Sequence, residues 1–179
     1  MKFSLEPHPD HPALGVRAIE AAVIGVDRHW LTVRWKVDGS SRVVFPPFAG
    51  KGRADNLWQT TCFEMFLQPV GEERYVELNL SPSERWAAYD FDRYREGMRD
   101  RPLPRQPDCT IRKATAMAIF DAAIPRAGLP ELPWRMGIAA VIEEEGGVKS
   151  FWALAHGPAR PDFHDPACFA LALGPDEAA

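Results

Sequence analysis

Residues 61–91 read TCFEMFLQPVGEERYVELNLSPSERWAAYDF, and the alternation in this stretch decides the fold. Apolar and other side chains trade places at every second residue in 61–68, 74–81 and 85–91, the period of a strand and not of a helix. Turn residues separate the three runs, first around Pro69 and Gly71, then at Ser81-Pro82-Ser83-Glu84. Pairing the first two runs about Gly71 sets Phe63 against Leu80, Met65 against Leu78 and Leu67 against Val76, an apolar set suited to a core. The opposite face then carries Glu64 across from Asn79, Phe66 across from Glu77 and Gln68 across from Tyr75. A slip of one residue would bury Glu64 or Glu77 in the core, so the sorting of faces is firmer than the register. In the third run, Ala87, Tyr89 and Phe91 make the more apolar inward set, which sends Trp86 outward beside Asn79 and diagonal to Glu64.

The same period recurs along the chain. Leu31, Val33, Trp35 and Val37 fall on one side of residues 30–37, and Trp134, Met136, Ile138, Ala140 and Ile142 share a side of 134–142. Residues 16–26, 109–121, 150–156 and 168–173 are further strand candidates, each bounded by Gly, Pro or Asp. Seventeen prolines and thirteen glycines are scattered as turn punctuation, not gathered in a linker. The expected fold class is all-β, an antiparallel two-sheet β-sandwich of jelly-roll or immunoglobulin-like type with about ten strands. At most a short helix is expected, at 92–100 (DRYREGMRD). With 179 residues, the chain 1–179 reads as one domain.

The balance of 25 acidic against 21 basic residues provides no basic field for nucleic acid or anionic membrane, so neither is an expected partner. Three cysteines, Cys62, Cys109 and Cys168, lack the spacing of a disulfide framework or a zinc site and read as small core residues in a reducing cytoplasm. The opening MKFSLEPHPDHPALG has no apolar run and reads as neither signal peptide nor membrane anchor, which gives a cytoplasmic expectation.

A leucine-tryptophan pair at 57–58 precedes the acid-bearing strand. A strand ending Asn79-Leu80-Ser81-Pro82-Ser83 follows, then Trp86-Ala87-Ala88-Tyr89-Asp90-Phe91. Together with PDFHDPACFALAL at 161–173, this pattern resembles bacterial DOMON-like domains, relatives of the family-9 carbohydrate-binding modules. The resemblance implies a sandwich with a ligand pocket on one sheet, used for sugars in some branches and haem in others. It puts Trp58, Glu64, Asn79 and Trp86 at or near the site, with Asp55 and Asn56 at the rim. Aromatic plates beside acids and amides suit pyranoses, whose C–H faces stack while their hydroxyls hydrogen-bond.

The expected activity is therefore binding of a small molecule, a carbohydrate or sugar derivative, on the face of Glu64, Phe66, Tyr75, Glu77, Asn79 and Trp86, bordered by Trp58, Asp55 and Asn56. Two alternatives stay open: a protein-interaction domain using the same face, and a glycosidase in which Glu64 and Glu77 form the carboxylate pair. A merely solvated sheet face would also alternate in this way. No cofactor is expected. Haem would need an axial pair, but Met65 sorts into the core, Met98 into a connection, and His156 and His164 near the far end. His164, before Asp165-Pro166, reads as a turn histidine bonded to local backbone. No metal is expected, since the prolines around His8 and His11 forbid the helix that would bring those two together. The loop PPFAGKGRADN at 46–56 lacks the helix that a phosphate cradle requires and reads as a solvated turn.

Overall fold

The computed structural model describes residues 1–175, so the last four residues of the expected domain lie outside the described part. Among these residues thirteen strands occur. They are β1 (Lys2–Pro7), β2 (Ala18–Val26), β3 (Trp30–Asp38), β4 (Gly52–Arg53), β5 (Cys62–Pro69), β6 (Tyr75–Leu80) and β7 (Arg85–Phe91). There follow β8 (Arg99–Asp100), β9 (Asp108–Lys113), β10 (Met117–Pro125), β11 (Trp134–Glu144), β12 (Val148–Ala153) and β13 (Leu171–Leu173).

The two-sheet antiparallel sandwich is not what these strands build. They form one mixed sheet in the order β4-β7-β6-β5-β11-β12-β1-β2-β3-β10-β9, with β8 added to β7 and β13 to β11. β1 makes the sheet continuous by changing partners along its length. Lys2–Leu5 pair with Ala22–Ile19 of β2, and Glu6 and Pro7 pair with Ala153 and Trp152 of β12. The alternation over 16–173 contains no sign of this, because the uniting strand lies in the proline-broken opening segment. The sheet is mixed because β4 runs parallel to β7, Gly52 beside Arg85 and Arg53 beside Trp86.

The sheet curls so that its two halves face one another like half of a barrel. Trp35 of β3 and Phe120 of β10 meet Phe63 of β5, the rings of Phe63 and Phe120 stacking with centroids 4.4 Å apart. The expected inward set Leu31, Val33, Trp35 and Val37 is buried here, as is the set from Trp134 to Ile142. Burial of these side chains supplies the main drive to fold, roughly 25 cal/mol per Å² of apolar area. One buried acid is also structural: the Glu144 carboxylate accepts from the backbone N–H of Leu14 and Gly15, both at 2.6 Å, and pins the crossing from β1 to β2. All three cysteines are buried and free.

No helix forms at 92–100. Asp92 to Glu96 make a tight turn closed by an Arg93–Glu96 bridge, and Arg99–Asp100 enter the sheet as β8. Arg95 (φ 54°) and Gly97 (φ 70°) adopt left-handed conformations incompatible with a continuing helix. A side chain at Gly97 would also collide with Asp92, whose Oδ2 lies 2.0 Å from the place a Cβ would take.

Candidate functional site

β5 and β6 pair in the register read from their alternation, with Phe63 opposite Leu80, Glu64 opposite Asn79 and Phe66 opposite Glu77. Phe63, Met65, Leu67, Val76, Leu78 and Leu80 enter the inner core, and Glu64, Phe66, Tyr75, Glu77 and Asn79 share the outer face.

β7 sorts the other way from the expectation. Leu80 pairs with Trp86, Asn79 with Ala87, Glu77 with Tyr89 and Tyr75 with Phe91. Trp86 therefore points into the inner core, where its Nε1 donates to Gln106 at 3.1 Å and the Arg53 guanidinium lies 5.8 Å from its ring. Ala87, Tyr89 and Phe91, expected to face inward, lie on the outer face instead. The apolar count across β7 misleads because this face is itself covered. Phe66, Tyr75, Tyr89, Phe91, Phe163 and Phe169 form a second apolar cluster there, so both sides of the strand are dry.

Three segments make the cover. The turn at 57–59 packs over β5, β6 and β7 with Leu57 against the cluster. Asp55 holds this turn by accepting the Tyr89 hydroxyl at 2.6 Å, and Asn56 sits in a left-handed conformation at its start. Trp58 stands outside at 51 % exposure, a rim position. The second segment is the 92–97 turn carrying Arg95. The third is the 161–169 segment, which Asp162 ties to the second by accepting from Arg95 Nη2 at 2.7 Å and from the Tyr94 hydroxyl.

His164 is not bonded to its local backbone through the ring. Its Nδ1 lies 2.8 Å from the Tyr75 hydroxyl, and its Nε2 is 3.7 Å from Glu77 Oε2. Tyr75 Oη accepts the backbone N–H of Arg95 at 3.2 Å, which leaves its own proton to donate to Nδ1. The network thus assigns the neutral ring its proton on Nε2, facing Glu77.

At the floor, Glu64 is 4 %, Glu77 6 % and Asn79 1 % exposed. Asn79 Nδ2 donates to Glu77 Oε1 at 2.9 Å, but Glu64 Oε1 and Asn79 Oδ1 have no hydrogen-bond partner. Unpaired buried polar atoms cost roughly 1–3 kcal/mol each, so two on paired residues is a marked feature. Burial pushes the Glu64 carboxyl well above the ordinary range, and the nearby charge of Glu77 adds to this. Burial likewise lifts Glu77 to about 7, against the opposing effects of the Asn79 hydrogen bond and Arg95. Burial, helped by the Arg95 charge, drops His164 to about 4, and burial raises Tyr75 to about 12. The 3.7 Å His164–Glu77 contact is thus no ion pair near neutrality, because the ring stays neutral there.

Open depressions lie elsewhere. One of about 400 Å³ between Ser40–Phe45 and Lys113–Thr115 shares no residue with this face. Another of about 130 Å³, beside Asp90 and Arg101, touches it only at Tyr75 and Phe91. Neither brings together several titratable groups with unpaired atoms, so the buried face is the better site.

No protein-family model and no curated protein matches the chain. A solved structure shares its fold. It comes from Bacteroides uniformis ATCC 8492, is described as a "putative carbohydrate-binding protein", and superposes with a TM-score of 0.62 at 17 % identity. The match covers 95 % of this chain and 84 % of the other. At that identity the likeness is one of fold.

The sequence places Tyr89 on the inward face, and as site residues Arg95, Asp162 and the ring role of His164 are absent from its reading. The last three reach the face from connections, and no local pattern marks which connection folds over which sheet face.

Proposed function

We propose that the chain is a binding module for a small carbohydrate or sugar derivative, taken on the outer face of β5 and β6 with Glu64, Glu77 and Asn79 at its floor and Trp58 at its rim. The observation that carries this is the pair of buried, unpartnered oxygens Glu64 Oε1 and Asn79 Oδ1 on directly opposed residues. A ligand dense in hydroxyl groups both donates and accepts, so it supplies the partners that these atoms lack, and an exposed indole at the edge offers a stacking plate. The DOMON-like pattern and the description of the Bacteroides structure as a carbohydrate-binding protein point the same way.

Titrating tryptophan emission with glucose, galactose, mannose, xylose and their β-1,4-linked disaccharides tests the reading. Saturable quenching or enhancement, lost in Trp58→Ala and in Glu64→Gln, is the expected result. Silence across the panel overturns it.

A further inference from the structure

We propose that the ligand carries a primary ammonium group, an amino sugar and not a neutral one, seated between the carboxyls of Glu64 and Glu77. The inference rests on the sugar-binding reading and specifies the class of sugar.

The charges around the face decide it. Glu64, Glu77, Asp55 and Asp162 approach it with Arg95, His164, Arg53 and Arg135; Arg53, 5.1 Å from the Tyr89 ring, is bonded to Asp100 and the Ala88 carbonyl, and Arg135 to Gln68 and the Pro166 carbonyl. Asp162 is committed to Arg95 through Nε at 3.3 Å and Nη2 at 2.7 Å, and Asp55 accepts from Tyr89. His164 has its Nδ1 bound to the Tyr75 hydroxyl and presents only a distant Nε2. Tyr75 and Tyr89 are phenols held neutral by burial. Glu64 and Glu77 remain, two buried carboxyls that feel the Arg95 charge but have no cation hydrogen-bonded to either among the described residues.

Their geometry favours a nitrogen donor. Glu64 stands opposite Asn79, and Asn79 reaches over to Glu77, so the three side chains form one continuous patch. Glu64 Oε1 and Asn79 Oδ1 have no hydrogen-bond partner, and Glu77 Oε2 has the His164 Nε2 at 3.7 Å, so the atoms open on the patch are oxygens. An ammonium has three donors and no acceptor, which suits a patch of oxygens. A hydroxyl brings only one proton and no charge. A buried acid pair without a cation must keep protons instead.

The exchange balances simply: the ammonium enters with its charge, the carboxyl pair releases a proton to solvent, and no covalent bond changes. Calorimetric titration of the full chain at pH 7 tests it, using glucosamine, galactosamine and 6-amino-6-deoxyglucose, each beside its parent sugar, with N-acetylglucosamine as the neutral amide control. At least one amine binds about tenfold tighter than its parent, near 1.4 kcal/mol. Its heat varies with the ionisation enthalpy of the buffer, as proton release requires, and the control shows neither effect. At pH 5 the preference shrinks, because protonated carboxyls no longer attract the cation. Glu77→Gln, or Glu64→Gln if the first does not fold, brings the ratio of amine to parent affinity to about one.

Equal affinity for amines and parents, or equal binding of the N-acetyl control without proton release, overturns the inference and leaves sugar binding standing. Absence of binding by every sugar overturns both.

Discussion

Tyr89 faces Glu77 directly across the β6–β7 ladder while its hydroxyl donates to Asp55 at 2.6 Å. One side chain thereby fixes the sheet register beneath the site and holds down the turn that bears Trp58. Tyr89→Phe keeps the ring and deletes only that bond. It is expected to cost roughly 1.5–3 kcal/mol, the range for hydrogen bonds to charged groups, in urea denaturation, and to loosen the 55–59 turn. A rise in Trp58 solvent accessibility, read from the broadening of its indole N–H resonance by a soluble paramagnetic agent, checks the second part.

The two tryptophans of this region play opposite parts. Trp86→Ala removes a large side chain from the inner core and is expected to destabilise by roughly 3–5 kcal/mol. Trp58→Ala, at an exposed position, is expected to change stability by no more than about 0.5 kcal/mol while abolishing the sugar response. Thermal melts paired with ligand titration distinguish them. A stable Trp86→Ala that loses binding would reverse the assignment.

Much of this site is legible in the sequence, and the boundary of legibility has a physical cause. That Glu64 and Asn79 share a face can be read because β5 and β6 have one face that must be wholly apolar, and a slip of one residue buries an acid. Trp86 cannot be placed by the same rule, because β7 is dry on both sides and alternation does not tell inside from outside. β1 escapes notice since Pro7, Pro9 and Pro12 give its neighbourhood the look of a loop, yet it is the strand that merges two expected sheets into one. Arg95, Asp162 and His164 come together only through the folding of two connections, a tertiary event with no periodic trace.

The pH dependence of stability follows from the shifted groups. His164, depressed from 6.5 to about 4, contributes stability that is present above pH 6.5 and lost as pH falls through 4. Glu77, raised from 4.5 to about 7, contributes stability present below pH 4.5 and lost as pH rises through 7, and Glu64 is raised in the same sense. Between 4.5 and 6.5 the histidine opposes the acids. Above 6.5 only the acids act, and stability is expected to decline toward pH 8. Urea midpoints at pH 6, 7 and 8 measure this, and Glu64→Gln should flatten the decline.

The curled sheet predicts a coupling that a flat arrangement lacks. Phe63 of β5 and Phe120 of β10 stack at 4.4 Å across the two halves. A double-mutant cycle with leucine at both positions is expected to give an interaction energy of roughly 0.5–1.5 kcal/mol, the range for aromatic pairs. Strict additivity would mean that the halves do not face each other as described.

The central claim is that the outer face of β5 and β6 receives the ligand. Side-chain amide NMR of a ¹⁵N-labelled sample, titrated with the tightest-binding member of the sugar panel, tests it most directly. The account predicts that the Asn79 Nδ2 resonances move most among side-chain amides, in company with the Trp58 indole, and that Glu64→Gln suppresses both. Saturable binding that leaves Asn79 and Trp58 unmoved while shifting resonances on another surface would contradict it.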